Sequence, residues 1–106
     1  MGSREYLGEF EQVVLLALAR LRRPAYGAEI HEEILERTGR DVSIPAVYVT
    51  LKRMERKGLV ASEVTEPEEG GRATRNYRVL SAGQDALVQS RDLLRRLWDG
   101  LGGEWA

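Results

Sequence analysis

The chain has no cysteine and a single histidine. Without thiols there is no disulfide framework, no thiolate nucleophile and no Cys-based zinc site. His31 stands alone on a glutamate-rich segment, lacks the further ligands a metal site needs, and reads as a surface side chain. Long apolar runs are also missing. The longest, Val13 to Ala19, falls far short of the roughly 20 residues that span a bilayer. No apolar segment follows a basic start, so no secretory leader is expected and the expected location is the cytoplasm. No nucleophile–base set or phosphate-cradling loop is found: Gly70-Gly71 reads as a turn, and Glu68-Glu69 as solvated loop acids without an opposed carboxylate. An enzyme is not expected, nor is a cofactor or a metal. An overall excess of positive charge is lacking too: the net charge is −1, which excludes a globally basic nucleic-acid binder.

What the chain does have is 106 residues, 42% of them hydrophobic, enough for one domain with its own core. Its charge is unevenly spread. Residues 43–57 hold four bases and one acid, whereas residues 1–42 hold six bases and eight acids. Only this local patch is suited to phosphates, and the acidic remainder disfavours other orientations on DNA.

Hydrophobic spacing predicts the elements. Phe10, Val13, Val14, Ala17, Leu18 and Leu21 recur at the helical period over Glu9–Leu21, with Leu15 and Leu16 widening the stripe; Pro24 then breaks the pattern. A second helix is expected over about 25–37, with Ile30, Ile34 and Leu35 inward and Glu29, Glu32, Glu33 and Glu36 outward. Tyr26 and Gly27 are placed for a close helix–helix contact. After the turn "TGRDVS" comes "SIPAVYVTLKRMERKGLV" (43–60). Ser43 can cap it, Pro45 is tolerated in the first turn, and Gly58 can end it. Val47, Leu51 and Met54 share its core face, leaving Ala46, Tyr48, Val49, Lys52, Arg53 and Arg56 outside. Two helices, a short turn and a basic second helix make a helix-turn-helix. The period then changes to two: Val60–Thr65 and "RNYRVL" flank the turn-rich "EPEEGGRAT" and predict a hairpin, the wing. From Ser81 a last helix is expected, with Ser81 and Gln84 at capping-box spacing. Leu87, Ser90, Leu94, Leu97 and Leu101 form a heptad seam with one polar position, and Trp98 lies beside it.

These elements define an α+β class, mostly α. A winged helix-turn-helix is expected over residues 9–80 and a dimerisation helix over 81–101, both in one compact unit. A major groove admits one helix whose first turns read base edges. Ser43, Pro45, Ala46 and Val49 are small enough for close approach, the Tyr48 hydroxyl suits a phosphate, and Lys52 and Arg53 suit phosphate or guanine. Arg72 and Arg75 at the wing suit the adjacent backbone or minor groove. One module of this size buries little surface. Packing Leu87, Leu94, Leu97, Trp98 and Leu101 against a twin gives a homodimer with reading helices roughly 34 Å apart on a near-palindrome. A winged-helix module that binds protein instead of DNA is the alternative reading.

The pieces "AYGAEI" (25–30), "SIPAVYVTLKRMERKGLV" (43–60) and "YRVLSAG" (77–83) resemble the PadR family of winged-helix transcriptional regulators, over about residues 9–100. The resemblance implies a ligand-responsive homodimeric repressor that binds double-stranded DNA through Tyr48 and the bases after it. It also implies dimerisation through the last helix, helped by the first. The single terminal helix looks like the small subfamily, some of whose members take flat aromatic or hydrophobic effectors at the dimer centre; Trp98 matches the tryptophan that forms a wall there. The chain departs from the family in having Ile44-Pro45-Ala46 for Pro-Gly-Thr, Ala73-Thr74-Arg75-Asn76 for Pro-Arg-Lys-Tyr, and Leu80 where a threonine is usual. These leave operator sequence and effector open.

Overall fold

Proline at 24 and glycines at 39 and 58 punctuate three helices of nearly equal length. In the computed structural model, which describes residues 6–67 and 70–105, these are α1 (Glu9–Leu21), α2 (Gly27–Thr38) and α3 (Ile44–Arg56). A hairpin of β1 (Val60–Thr65) and β2 (Thr74–Val79) follows, then α4 (Ser81–Trp98) and a short 3-10 turn at Gly103–Trp105. Glu68 and Glu69 lie outside the described residues.

The α3 punctuation forms as its residues dictate. Ser43 Oγ accepts the Ala46 N–H at 3.1 Å, and Gly58 takes φ 76° to end the helix while the Leu59 N–H returns to the Met54 carbonyl at 3.0 Å. Helix α1 matches its expected span. It ends on Arg22 in the left-handed region at φ 57°, before Pro24 is reached. Helix α2 starts later than its expected position near Ala25. Ala25 is instead extended and exchanges two backbone hydrogen bonds with Tyr77, at 3.0 and 2.8 Å. That pairing joins distant parts of the chain, which a local period does not register. Helix α4 also differs: its cap residue is Leu80, not Ser81, and no side chain caps it. The Leu80 N–H is bound to the Leu59 carbonyl at 3.0 Å, which sets the helix entry one residue early. Gly83 packs on that same carbonyl, where a Cβ would collide.

The core gathers Val14, Leu15 and Leu18 from α1, Ile30 and Ile34 from α2, Val47, Leu51 and Met54 from α3, and Val60 and Tyr77 from the hairpin. Leu35, expected inward, is 40% exposed. The buried stripe of α2 is Gly27, Ile30 and Ile34, at i, i+3 and i+7, and Leu35 lies about 100° further round the helix. In the hairpin Val60 faces Val79, Ser62 faces Tyr77 and Val64 faces Arg75, which is the expected alternation. Val64 is half exposed. The radius of gyration is 15.8 Å, above the roughly 13 Å of a compact chain this long. Helix α4 contributes to the excess. Its first half packs on α1 and Leu59, while Leu94, Leu97 and Trp98 stay exposed.

One contact fixes the angle between α2 and α3. The ring of Tyr48 lies flat against Gly27, and its hydroxyl accepts the Gly27 N–H at 3.2 Å. A Cβ on residue 27 would stand 2.5 Å from Tyr48 Cζ. Gly27→Ala is therefore expected to lower unfolding free energy by about 1–3 kcal/mol, the usual range for overpacking, in urea titration.

Candidate nucleic-acid interface

The solvent side of α3 carries the sequence-predicted surface. Ser43 and Pro45 are exposed, Ala46 is half-buried, and Val49 is 59% exposed. Lys52 and Arg56 are exposed one turn further on and pair with no acid among the described residues. The first turns are thus small and apolar, and cations follow, the order a groove-reading helix requires. Helix α3 has no acid in its first turn, which leaves its positive end free of a carboxylate of its own.

Four of the predicted contacts are engaged within the chain: Ser43 as the cap of α3, and three more. Tyr48 is half-buried: its hydroxyl oxygen accepts the Gly27 N–H, so its own proton alone is left for a further acceptor. Arg53 donates from Nε to Glu11 Oε2 at 3.1 Å, and Lys57 Nζ reaches the same oxygen at 3.1 Å. Arg75 donates to Ser62 Oγ at 3.1 Å, and Ser62 donates to Glu55 Oε2 at 2.8 Å. Glu55, the lone acid of residues 43–57, thereby ties the hairpin to the C-terminal end of α3. Arg72, at the hairpin loop, is exposed.

Glu11 is the residue beside this face that spacing alone did not single out. Its side chain is only 7% exposed. It lies on the buried stripe of α1, one turn before Val14 and Leu15 and two before Leu18, where an acid has no place unless it is paired. That conflict, a carboxylate on an apolar stripe, was the available signal. One oxygen accepts the Gly8 N–H at 2.9 Å, closing the first turn of α1. The other holds Arg53 and Lys57 across the gap to α3. Burial pushes the Glu11 carboxyl up, but the Gly8 amide, Lys57 and Arg53 outweigh it and hold it below the ordinary 4.5.

Other sequence-predicted residues lie elsewhere. His31 is not a plain surface side chain. Its ring is 19% exposed and sits 3.5 Å from Asp41 Oδ1, and no cluster of metal ligands occurs among the described residues. The acidic face of α2 is partly paired: Arg23 meets Glu29 at 2.6 Å, and Glu33 holds both Arg20 and Arg37. On α4 the seam divides. Leu87 packs against the core and Ser90 is buried, whereas Leu94, Leu97 and Trp98 are 47–70% exposed; the helix ends at Trp98, short of the expected 101, because Asp99 turns extended and Gly100 takes φ 88°, so Leu101, 47% exposed, lies past its end. Leu87 and Ser90 are covered because the first half of α4 lies along α1. Leu16 of α1 and Val88 are exposed too and line an apolar groove with Leu87. No described helix is long and apolar enough to cross a membrane.

Three helices, a two-stranded wing and an exposed α3 define a winged-helix protein. The sequence pattern of the transcriptional regulator PadR-like family matches residues 14–89, and the chain belongs to that family. It is 41% identical over 80 residues to the transcriptional regulator Rv3488 of Mycobacterium tuberculosis, covering 74% of this chain and 72% of that one. Among solved structures it is similar to a PadR family transcription regulator from Clostridium difficile. There the TM-score is 0.73 and the identity 26%, over 85% of this chain and 91% of the other. F93 from STIV, described as a winged-helix DNA-binding protein, shares the fold with TM-score 0.71 at 14% identity, over 91% of this chain and 98% of that one.

The depressed acidity of Glu11 makes a pH prediction. Its contribution to stability is fully present above the unfolded value and is lost as pH falls through the lower folded value. Between about pH 6 and about pH 3, the melting temperature of Glu11→Gln is expected to fall less than that of the unsubstituted chain, as read by circular dichroism.

Proposed function

We propose that this PadR-like regulator is a homodimeric, DNA-binding repressor of a near-palindromic operator, responsive to a flat aromatic or hydrophobic effector. The observation that carries the DNA reading is the outward side of α3. Pro45, Ala46 and Val49 leave room at a groove floor, and Lys52 and Arg56 stand free beside it. The proposed contacts are Ser43, Pro45, Ala46, Tyr48, Val49, Lys52 and Arg53 on α3, with Arg72 and Arg75 on the wing; exposed Arg56 is added as a further phosphate contact. Arg53 acts through the two terminal nitrogens that Glu11 leaves open, since only its Nε is bonded. Phosphate contacts supply most of the affinity, and base contacts by the first turns supply sequence preference.

The homodimer reading rests on the free half of α4. Leu94, Leu97 and Trp98 expose apolar surface on the last turns of α4 and Leu101 just past its end, while Leu16 and Val88 are exposed beside Leu87. A monomer rarely leaves so continuous a stripe in water. Pairing α4 with the α4 and α1 of a twin covers it, with Leu87 at the rim. Among the described residues of one protomer, the hollow at Trp98 is walled by its chain neighbours Arg95, Arg96 and Asp99. An enclosed effector site at Trp98 therefore needs the second copy. Repression follows from the simplest use of such a dimer, occlusion of polymerase.

A gel shift with the DNA upstream of the chain's own gene tests the main reading. Binding is expected to weaken with salt, and Lys52→Ala with Arg56→Ala to lower the slope of log K against log salt by about 0.9 for each phosphate no longer neutralised. An unchanged gel shift in that double variant favours a protein-docking module instead. For the dimer, Leu97→Glu is expected to halve the mass seen by light scattering. Fluorescence quenching by flat aromatic compounds is expected to drop in Trp98→Ala, which retains Trp105.

A further inference from the structure

We infer that Glu11 is a positioning residue of the DNA-reading face: through one carboxylate oxygen it aims the Arg53 guanidinium and cancels the charge of Lys57, which restrains sequence-independent binding. This rests on the DNA reading above and extends it to a residue on a different helix.

The argument begins with charge. The segment 43–57 carries four bases and one acid, a local sum of +3. Glu11 is remote in sequence but stands 3.1 Å from two of those bases, so the sum at the surface is +2. Each unpaired cation on such a face releases counterions from any duplex, whatever its sequence. A carboxylate among them therefore acts against general affinity, and the fold has spent a buried position on it.

Geometry then separates the cations. Lys52 and Arg56 have no acid within salt-bridge distance among the described residues, whereas Arg53 and Lys57 share Glu11 Oε2. Lys57 is a point charge on a flexible stem, and pairing removes it from the free pool. Arg53 is different because its guanidinium is planar. Holding Nε at 3.1 Å leaves the terminal nitrogens in a fixed fork, the arrangement that suits a phosphate or a guanine edge. Glu11 itself is held on both sides. Its second oxygen is bound to the Gly8 N–H, and its side chain is 7% exposed. A carboxylate held at both oxygens is a rigid reference point, which ordinary surface pairs on long side chains are not.

The test compares Glu11→Gln, Lys57→Met and Lys52→Met with the unsubstituted chain. Each is titrated onto a duplex from upstream of its own gene and an unrelated duplex of equal length, over a salt series, after circular dichroism has shown the variant folded. For Glu11→Gln we expect the slope of log K against log salt to steepen by about 0.9, affinity for the unrelated duplex to rise about threefold, and discrimination between the duplexes to fall. Lys52→Met is expected to flatten the slope by about 0.9, and Lys57→Met to change it by less than half as much. A folded Glu11→Gln with unchanged slope and discrimination overturns the inference. So does a Lys57→Met that flattens the slope as much as Lys52→Met does, and this arm stands even if Glu11→Gln does not fold. If the unsubstituted chain binds neither duplex, the DNA reading itself fails, a result distinguishable from either of these.

Discussion

A missing methyl group governs the geometry of this protein. Because residue 27 is glycine, the Tyr48 ring can lie on the backbone where α2 begins, and the Tyr48 hydroxyl satisfies one of the free N–H groups there. The contact sets how closely α2 and α3 approach, and so which side of α3 turns inward. Val47, Leu51 and Met54 then fill the core, and Val49, Lys52 and Arg56 have nowhere to go but outward. Tyr48 is structural first. Whatever else its hydroxyl proton does, its ring and oxygen hold the helix-turn-helix together.

The hairpin is coupled to this frame from two sides. Ala25, just before α2, pairs with Tyr77 through backbone hydrogen bonds, so the root of β2 is anchored beside the α2 start. Glu55 on α3 reaches Ser62 on β1, which in turn holds Arg75 on β2. The wing is therefore tied by hydrogen bonds both to α3 and to the chain just before α2. Tyr77, fully buried at the junction, has a hydroxyl with no hydrogen-bond partner among the described residues; burial first and the nearby Glu55 second raise its pKa above the ordinary tyrosine value.

Much is legible locally. The helix of "EFEQVVLLALARL", the Ser43 cap and Gly58 stop of α3, and the strand alternation through Tyr77 and Val79 all depend on neighbours within a turn or two. Their periods report the structure directly. The misplacements share one cause. The local pattern draws Ala25 into the helix and gives Ser81 the cap that falls at Leu80. In each case a backbone hydrogen bond to a distant residue, Tyr77 or Leu59, overrides the local signal. Hydrophobicity alone puts Leu35 inward, yet the inward stripe of α2 is already filled by Gly27, Ile30 and Ile34.

The sequence by itself determined the element types, the winged-helix order, the PadR-like motifs and the concentration of positive charge on α3. All of these are properties of short segments. Tertiary structure decided which of those charges remain free. Glu11 and Arg53 are separated by most of α1, the whole of α2 and most of α3, and only packing α1 against α3 brings a buried carboxylate to 3.1 Å from Arg53 and Lys57. A charge is read from its letter, but its partner depends on what the fold places within a few ångströms, because Coulomb attraction acts through space and not along the chain.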